Sequence, residues 1–129
     1  MGEKPLLLIV DDNEDFHEQF SLLADMAGYE VESILDGGEA LKRVEAQPIP
    51  SLVLLDLFLP HASGDEILAA MRASPAWEHV PVYLLTADLR TSRAMGEPLP
   101  KVARADGILE KGSGAIATIK GLLKKHQGG

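Results

Sequence analysis

The sequence predicts an α/β fold: a doubly wound parallel sheet of five strands with helices on both faces. Three observations predict it. Short β-type runs alternate with helix-patterned stretches five times along the chain. The first run, Leu6–Val10, is apolar without interruption, as a strand buried on both faces would be. Four runs, Leu6–Val10, Leu52–Leu55, Val82–Leu85 and Gly107–Leu109, each end in polar groups: Asp11-Asp12, Asp56, Thr86, and Lys111 one residue beyond Glu110. If those runs are parallel neighbours, the polar groups gather at the carboxyl edge of one sheet, where open α/β sheets bind ligands.

The elements follow in order. After the first strand, Asn13-Glu14-Asp15 suits the first turn of a helix, whose positive end favours acidic residues. Phe16, Phe20, Leu23 and Met26–Ala27 repeat at helical spacing, and Gly28 suits the C′ position that closes the helix. Glu30–Ile34 alternates as a second strand, Asp36-Gly37-Gly38 reads as a turn, and Ala40, Leu41 and Val44 mark a short helix ended before Pro48 and Pro50. Ser51–Leu55 is the third strand and Leu57–Ser63 a loop. Gly64-Asp65-Glu66 opens a helix with Ile67, Leu68 and Met71 on one face, stopped by Pro75. Val82–Leu85 and Gly107–Leu109 are the fourth and fifth strands, and Ile116, Ile119, Leu122 and Leu123 give a last amphipathic helix. Between those strands, Asp88–Arg104 should supply the fourth helix, but Gly96, Pro98 and Pro100 interrupt it, which predicts a short helix about Thr91–Met95 and then extended chain. Right-handed crossovers follow from the alternation.

A chain of 129 residues with 46% apolar residues is expected to be one domain, residues 1–129 with a core from about 5 to 126. No apolar run approaches the length of a membrane span, and Met1–Pro5 lacks a secretory signal, so a cytoplasmic protein without membrane contact is expected. Cysteine is absent, which excludes disulfides and thiol catalysis. The net charge of −8 argues against nucleic-acid binding. The basic cluster Lys120, Lys124 and Lys125 reads as a helix C-terminus complementing its dipole.

Carboxylates, a hydroxyl and an ammonium at one sheet edge are what a divalent metal ion and a phosphoryl group require. Singly, each residue has a plainer reading: Asp11-Asp12 could cap a helix, Thr86 favours strands, and Lys111 could be a solvated strand-end lysine. Read together with their surroundings they resemble a known family. Val10-Asp11-Asp12-Asn13-Glu14, Gly28-Tyr29-Glu30-Val31 and Asp36-Gly37-Gly38-Glu39-Ala40-Leu41 come first. Leu54-Leu55-Asp56-Leu57-Phe58-Leu59-Pro60, Gly64, Pro81–Ala87 and Ala105–Lys111 follow. This ordered set resembles the chemotaxis-regulator-like receiver domain of two-component response regulators, over nearly the whole chain. The resemblance implies a flavodoxin-like sheet of order 2-1-3-4-5. It implies that Asp56 accepts a phosphoryl group from a sensor histidine kinase or phosphotransfer protein. It further implies that Asp11, Asp12, Asp56 and the Phe58 main-chain carbonyl hold Mg²⁺, with Asp11 acting through water. Lys111 would pair with the phosphoryl group and Thr86 would hydrogen-bond it. Such a protein is a signalling phosphoacceptor that promotes its own phosphorylation and dephosphorylation rather than an enzyme. It would act as a monomer or weak dimer on a downstream protein.

Several residues depart from the family pattern. Ile108 stands where an aromatic residue is usual, which questions the coupling of Thr86 to the distal face. Gly112 replaces the usual proline after Lys111, and a trans Lys111–Gly112 bond is expected because a non-proline cis bond costs about 2.5–4 kcal/mol. Phe58 and Asp88 occupy positions that tune phosphoryl lifetime in the family, and a bulky Phe58 would impede an attacking water. Two other readings are a phosphorylation-independent interaction module on the same fold, and a haloacid-dehalogenase-like phosphatase. The phosphatase would need an acid–base Asp where Phe58 stands.

Overall fold

Leucine- and valine-rich runs make the sheet, and their alternation divides the core in two. The computed structural model describes residues 4–87, 105–112 and 114–127. In chain order they form β1 (Leu6–Val10), α1 (Glu14–Met26), β2 (Glu30–Ile34), α2 (Gly37–Arg43), β3 (Leu52–Asp56), α3 (Gly64–Ala73), β4 (Val82–Thr86), β5 (Gly107–Glu110) and a helix here numbered α4 (Ala115–Lys125). The five strands are all parallel, in the order β2-β1-β3-β4-β5. That is the predicted doubly wound, flavodoxin-like topology, with β1 and β3 adjacent where the winding reverses. The helix predicted between β4 and β5 falls on residues 88–104, outside the described residues.

Side chains of the central strands alternate between the two faces. Leu7 and Ile9 of β1, Leu52 and Leu54 of β3, and Tyr83 and Leu85 of β4 pack with Phe16, Phe20 and Ala24 of α1 and Ala115, Ile119 and Leu123 of α4. Leu8, Val10, Val53, Leu55, Val82 and Leu84 pack on the opposite face with Ala40 of α2 and Ile67, Leu68 and Met71 of α3. Both faces of β1, β3 and β4 are therefore covered, which explains why their sequences are apolar without interruption. Trp77 and Tyr83 are buried packing residues. Gly28 takes φ 89 just beyond α1, the left-handed conformation a C′ glycine supplies. Among the described residues no helix is long and apolar enough to cross a membrane.

Two local expectations need correction. Asp36-Gly37-Gly38 is the start of α2 rather than a free turn. Asp36 is its N-cap, accepting from the Glu39 amide at 3.1 Å, and this cap offsets the poor helix propensity of the two glycines. Ile116, placed on the apolar face of the last helix, is exposed, and Ala115 takes the inward position with Ile119 and Leu123.

One buried cation fastens α2 to the rest. Arg43 donates from Nε to Glu32 Oε2 at 2.7 Å and from its two terminal nitrogens to the carbonyls of Ala46 and Pro48, and its guanidinium lies 5.3 Å from the Trp77 ring centroid. Removing it leaves two carbonyls and a half-buried carboxylate without this donor. Arg43→Ala is expected to cost about 2 kcal/mol, read as a lower urea midpoint with an unchanged slope. Arg43→Lys should recover little, because a point ammonium cannot fork to three acceptors.

Candidate functional site

Strand register brings the predicted site residues to one edge. Val10 pairs with Leu55, so Asp11 and Asp56 are the next residues of adjacent strands. Asp56 pairs with Leu85, which places Thr86 one step further along β4. Thr86 pairs with Glu110, and the Lys111 amide continues the ladder to the Thr86 carbonyl at 2.8 Å. All these residues stand where the strands end, because parallel strands share one carboxyl edge. Gly64 closes the floor: a Cβ there would lie 2.4 Å from the Asp56 carbonyl oxygen, so only glycine lets α3 start this close to the strand end.

One carboxylate oxygen from each of Asp11, Asp12 and Asp56 lies within 4.8 Å of the others. Asp11 and Asp56 are buried and Asp12 is exposed. The Lys111 ammonium enters this cluster, 2.5 Å from Asp11 Oδ2 and 3.4 Å from Asp56 Oδ2. Thr86 is buried beside them at the end of β4. Phe58 donates its amide to Asp56 Oδ1 at 3.2 Å and leaves its side chain half exposed. Asp11 orients through Oδ1, which accepts the Asn13 amide at 2.9 Å. The helix cap considered for Asp11 or Asp12 is made by Asn13, whose side chain accepts from the Asp15 and Phe16 amides. The acidic pair is thereby left for the pocket.

Burial pushes the Asp56 carboxyl above the usual carboxylate range; the nearby Lys111 charge opposes this and the Asp11 charge adds to it. The pocket also fits a divalent cation on its own terms. Asp11 Oδ2 is buried and has the lysine charge beside it, but among the described residues no donor aligned for a hydrogen bond. Three carboxylates around such an oxygen are the hard, acceptor-only donor set that Mg²⁺ takes, with waters completing its shell.

Two residues at the site escaped the sequence reading. Phe16, assigned to the core by helical spacing, also places its ring under the Lys111 ammonium, 5.1 Å from Nζ to the centroid. His17 is buried, and its Nε2 donates to the Asp11 carbonyl at 2.5 Å. Because a carbonyl only accepts, Nε2 carries the proton, and Nδ1 is buried with no hydrogen-bond partner among the described residues. An i, i+4 pattern cannot distinguish these roles from core packing. The only earlier signal was that both residues follow the acidic pair within two turns. His61 lies in the exposed loop as expected, paired with Asp36. The Lys111–Gly112 bond is trans, as predicted; among the described residues the cis bond is Gln47–Pro48. Gly112 has φ 153, a conformation open to glycine and closed to proline.

A family profile described as "Response regulator receiver domain" matches residues 7–120. The chain is 33% identical over 113 residues to the CAI-1 autoinducer sensor kinase/phosphatase CqsS of Vibrio cholerae, covering 81% of this chain and 16% of that protein. It is 34% identical over 126 residues to the transcriptional regulatory protein CpxR homolog of Haemophilus influenzae, covering 92% of this chain and 50% of that one. The chain thus spans no more than half the length of either relative. Among solved structures, the response regulator TrrA of Thermotoga maritima, in complex with Mg²⁺-BeF, superposes with TM-score 0.77 at 28% identity, covering 94% of this chain and 97% of that one. The receiver domain of a Pseudomonas aeruginosa sensor histidine kinase, with magnesium coordinated in its active site cleft, gives TM-score 0.79 at 24% identity, covering 99% of this chain and 100% of that one, and shares the fold.

The raised Asp56 pKa sets a pH signature. A folded pKa above the unfolded one means that the native state holds the proton more readily. The resulting penalty is absent in acid, grows as pH rises from about 4 through the folded pKa, and is constant above it. Asp56→Asn is therefore expected to stabilise the metal-free protein at pH 7, read as a higher Tm. The gain should vanish near pH 3 and shrink when Mg²⁺ is added; thermal melts across pH check both.

Proposed function

The chain belongs to the response regulator receiver domain family, and from that premise we propose that Asp56 accepts a phosphoryl group from a histidine kinase or phosphotransfer protein, with Mg²⁺ held at the adjacent carboxylates. The convergence of Asp11, Asp12, Asp56 and Lys111 at one sheet edge carries this reading. In the transfer an Asp56 carboxylate oxygen bonds to phosphorus as the N–P bond of a phosphohistidine breaks, giving an acyl phosphate. A carboxylate is a weak nucleophile toward a phosphoryl dianion, so the protein contributes position and charge more than covalent chemistry.

Each residue then has a role. Asp12 and Asp56 are the direct protein ligands of the metal, Asp11 acts through water, and the Phe58 main-chain carbonyl completes the set. Bound there, Mg²⁺ supplies positive charge to the phosphoryl oxygens. Lys111 pairs with a phosphoryl oxygen, and its present place between Asp11 and Asp56 keeps the ammonium in reach. Thr86, buried at the end of β4, donates its hydroxyl to another. Asn13 and His17 keep the Asp11 carboxylate and carbonyl in place. The phosphorylated domain then acts on a downstream protein through a changed surface, in the cytoplasm, and catalyses the loss of its own phosphoryl group.

Incubation with Mg²⁺ and a small phosphodonor such as acetyl phosphate is expected to add one acid-stable, base-labile phosphate by mass. Chelation or Asp56→Asn should abolish it; its survival in Asp56→Asn would move the acceptor elsewhere. Phe58 follows two residues after the acceptor with its side chain half exposed, and we infer that its bulk impedes an attacking water. Phe58→Ala is expected to shorten the phosphoryl lifetime about fivefold, roughly 1 kcal/mol of barrier. An unchanged lifetime would remove Phe58 from this role.

A further inference from the structure

We propose that Phe16 is a positioning residue for Lys111, its ring face holding the lysine ammonium inside the acidic pocket. The inference deepens the phosphoacceptor reading and rests on it for its consequence, but not for its geometry. Lys111 Nζ lies 5.1 Å from the Phe16 centroid, inside the distance of about 6 Å at which an aromatic face attracts a cation. The ring itself is fixed. It is 7% exposed, packs on Phe20 at 4.4 Å between centroids, and begins a helix whose cap accepts the Phe16 amide.

Among the described residues the lysine has little else to direct it from outside the carboxylate cluster. Its side chain is 22% exposed, and β5 pairs along one edge, with β4. The next residue, Gly112, has φ 153, and among the described residues nothing lies within 4 Å of where its Cβ would be. Gly112 itself therefore offers the stem no side chain to pack against. Asp11 and Asp56 attract the ammonium, but their pull changes when a divalent cation joins them and again when a phosphoryl group adds negative charge. The ring quadrupole is the same in every such state. It keeps the ammonium in the pocket while the charges around it change, so the phosphoryl group meets a lysine already in place.

The alternative is that Phe16 only fills the core between β1 and α4. Ring electronics separate the two, because fluorination weakens the negative face while nearly preserving shape. Two measurements on the full chain test the proposal. In NMR of protein with labelled lysine, the Lys111 ε-methylene signal, assigned with Lys111→Arg, should be shifted upfield by the ring current and return to its ordinary position in Phe16→Leu. An ordinary position in the unsubstituted protein overturns the proposal whatever the phosphoryl chemistry. At saturating Mg²⁺, beryllofluoride affinity measured by calorimetry should fall about three- to fivefold in Phe16→Leu. It should fall in graded steps with mono-, di- and trifluorinated phenylalanine at position 16, while Mg²⁺ affinity does not fall. A flat response across the fluorinated series makes the ring core packing alone and overturns the proposal. If the upfield shift is present but the unsubstituted protein binds no beryllofluoride, the placement of Lys111 stands and the phosphoacceptor reading fails instead.

Discussion

Three clustered carboxylates, two of them in contact with the Lys111 ammonium, are the constraint from which the rest of the carboxyl edge follows. Asp11 and Asp56 are buried side by side because β1 and β3 are adjacent and in register, and neither can retreat to water without breaking that register. Their mutual repulsion leaves the pocket short of positive charge even with Lys111 present. Such a site favours a divalent cation, and then a dianion that the cation and the lysine can share. The arrangement is costly to hold, and burial raising the Asp56 pKa records part of that cost. Binding chemistry and local destabilisation are here two consequences of one placement.

The scaffold bears this cost because the site residues occupy the ends, not the middle, of the strands. Within β1, β3 and β4 the side chains alternate between two dry faces covered by α1 with α4 and by α2 with α3. The backbone at the edge is fixed as tightly as the core beneath it. Asp11 N bonds to the Ile34 carbonyl, Leu57 N to Leu85 and Lys111 N to Thr86. Side chains projecting from such positions start from a fixed backbone, which suits a reaction that depends on placement more than on bond chemistry.

Much of this was legible in the sequence, for reasons that also explain what was not. Continuous apolar runs can satisfy both faces of a strand only in a covered parallel sheet, so the strands and their shared edge follow from Leu6–Val10 and its counterparts. Asp11, Asp12, Asp56, Thr86 and Lys111 were visible because a polar residue ending an apolar run is conspicuous. The same logic hides Phe16 and His17: on an amphipathic helix a residue facing the core and one facing a pocket at the end of that core share one periodicity. It also hides the start of α2, since Asp36-Gly37-Gly38 has turn composition and its capping bond to Glu39 shows only in three dimensions. The helical position of Ile116 was misjudged by one residue, because Ala115 is too small to signal burial by composition alone.

The departures at Ile108 and Gly112 bear on how a change at the site reaches the surface. Ile108 packs, partly buried, against the cluster formed with α2 and α3, whereas Leu109 packs against the cluster on the other face. An isoleucine offers no hydroxyl and no flat ring to swing, so the side chain at 108 transmits by packing alone. The backbone provides a second connection. Thr86 pairs with Glu110 and its carbonyl accepts the Lys111 amide, so a displacement of the end of β4 carries the lysine-bearing end of β5 with it. Beyond Lys111, Gly112 takes a conformation proline cannot enter. Thr86 and Lys111 are thus coupled through a peptide hydrogen bond of the sheet.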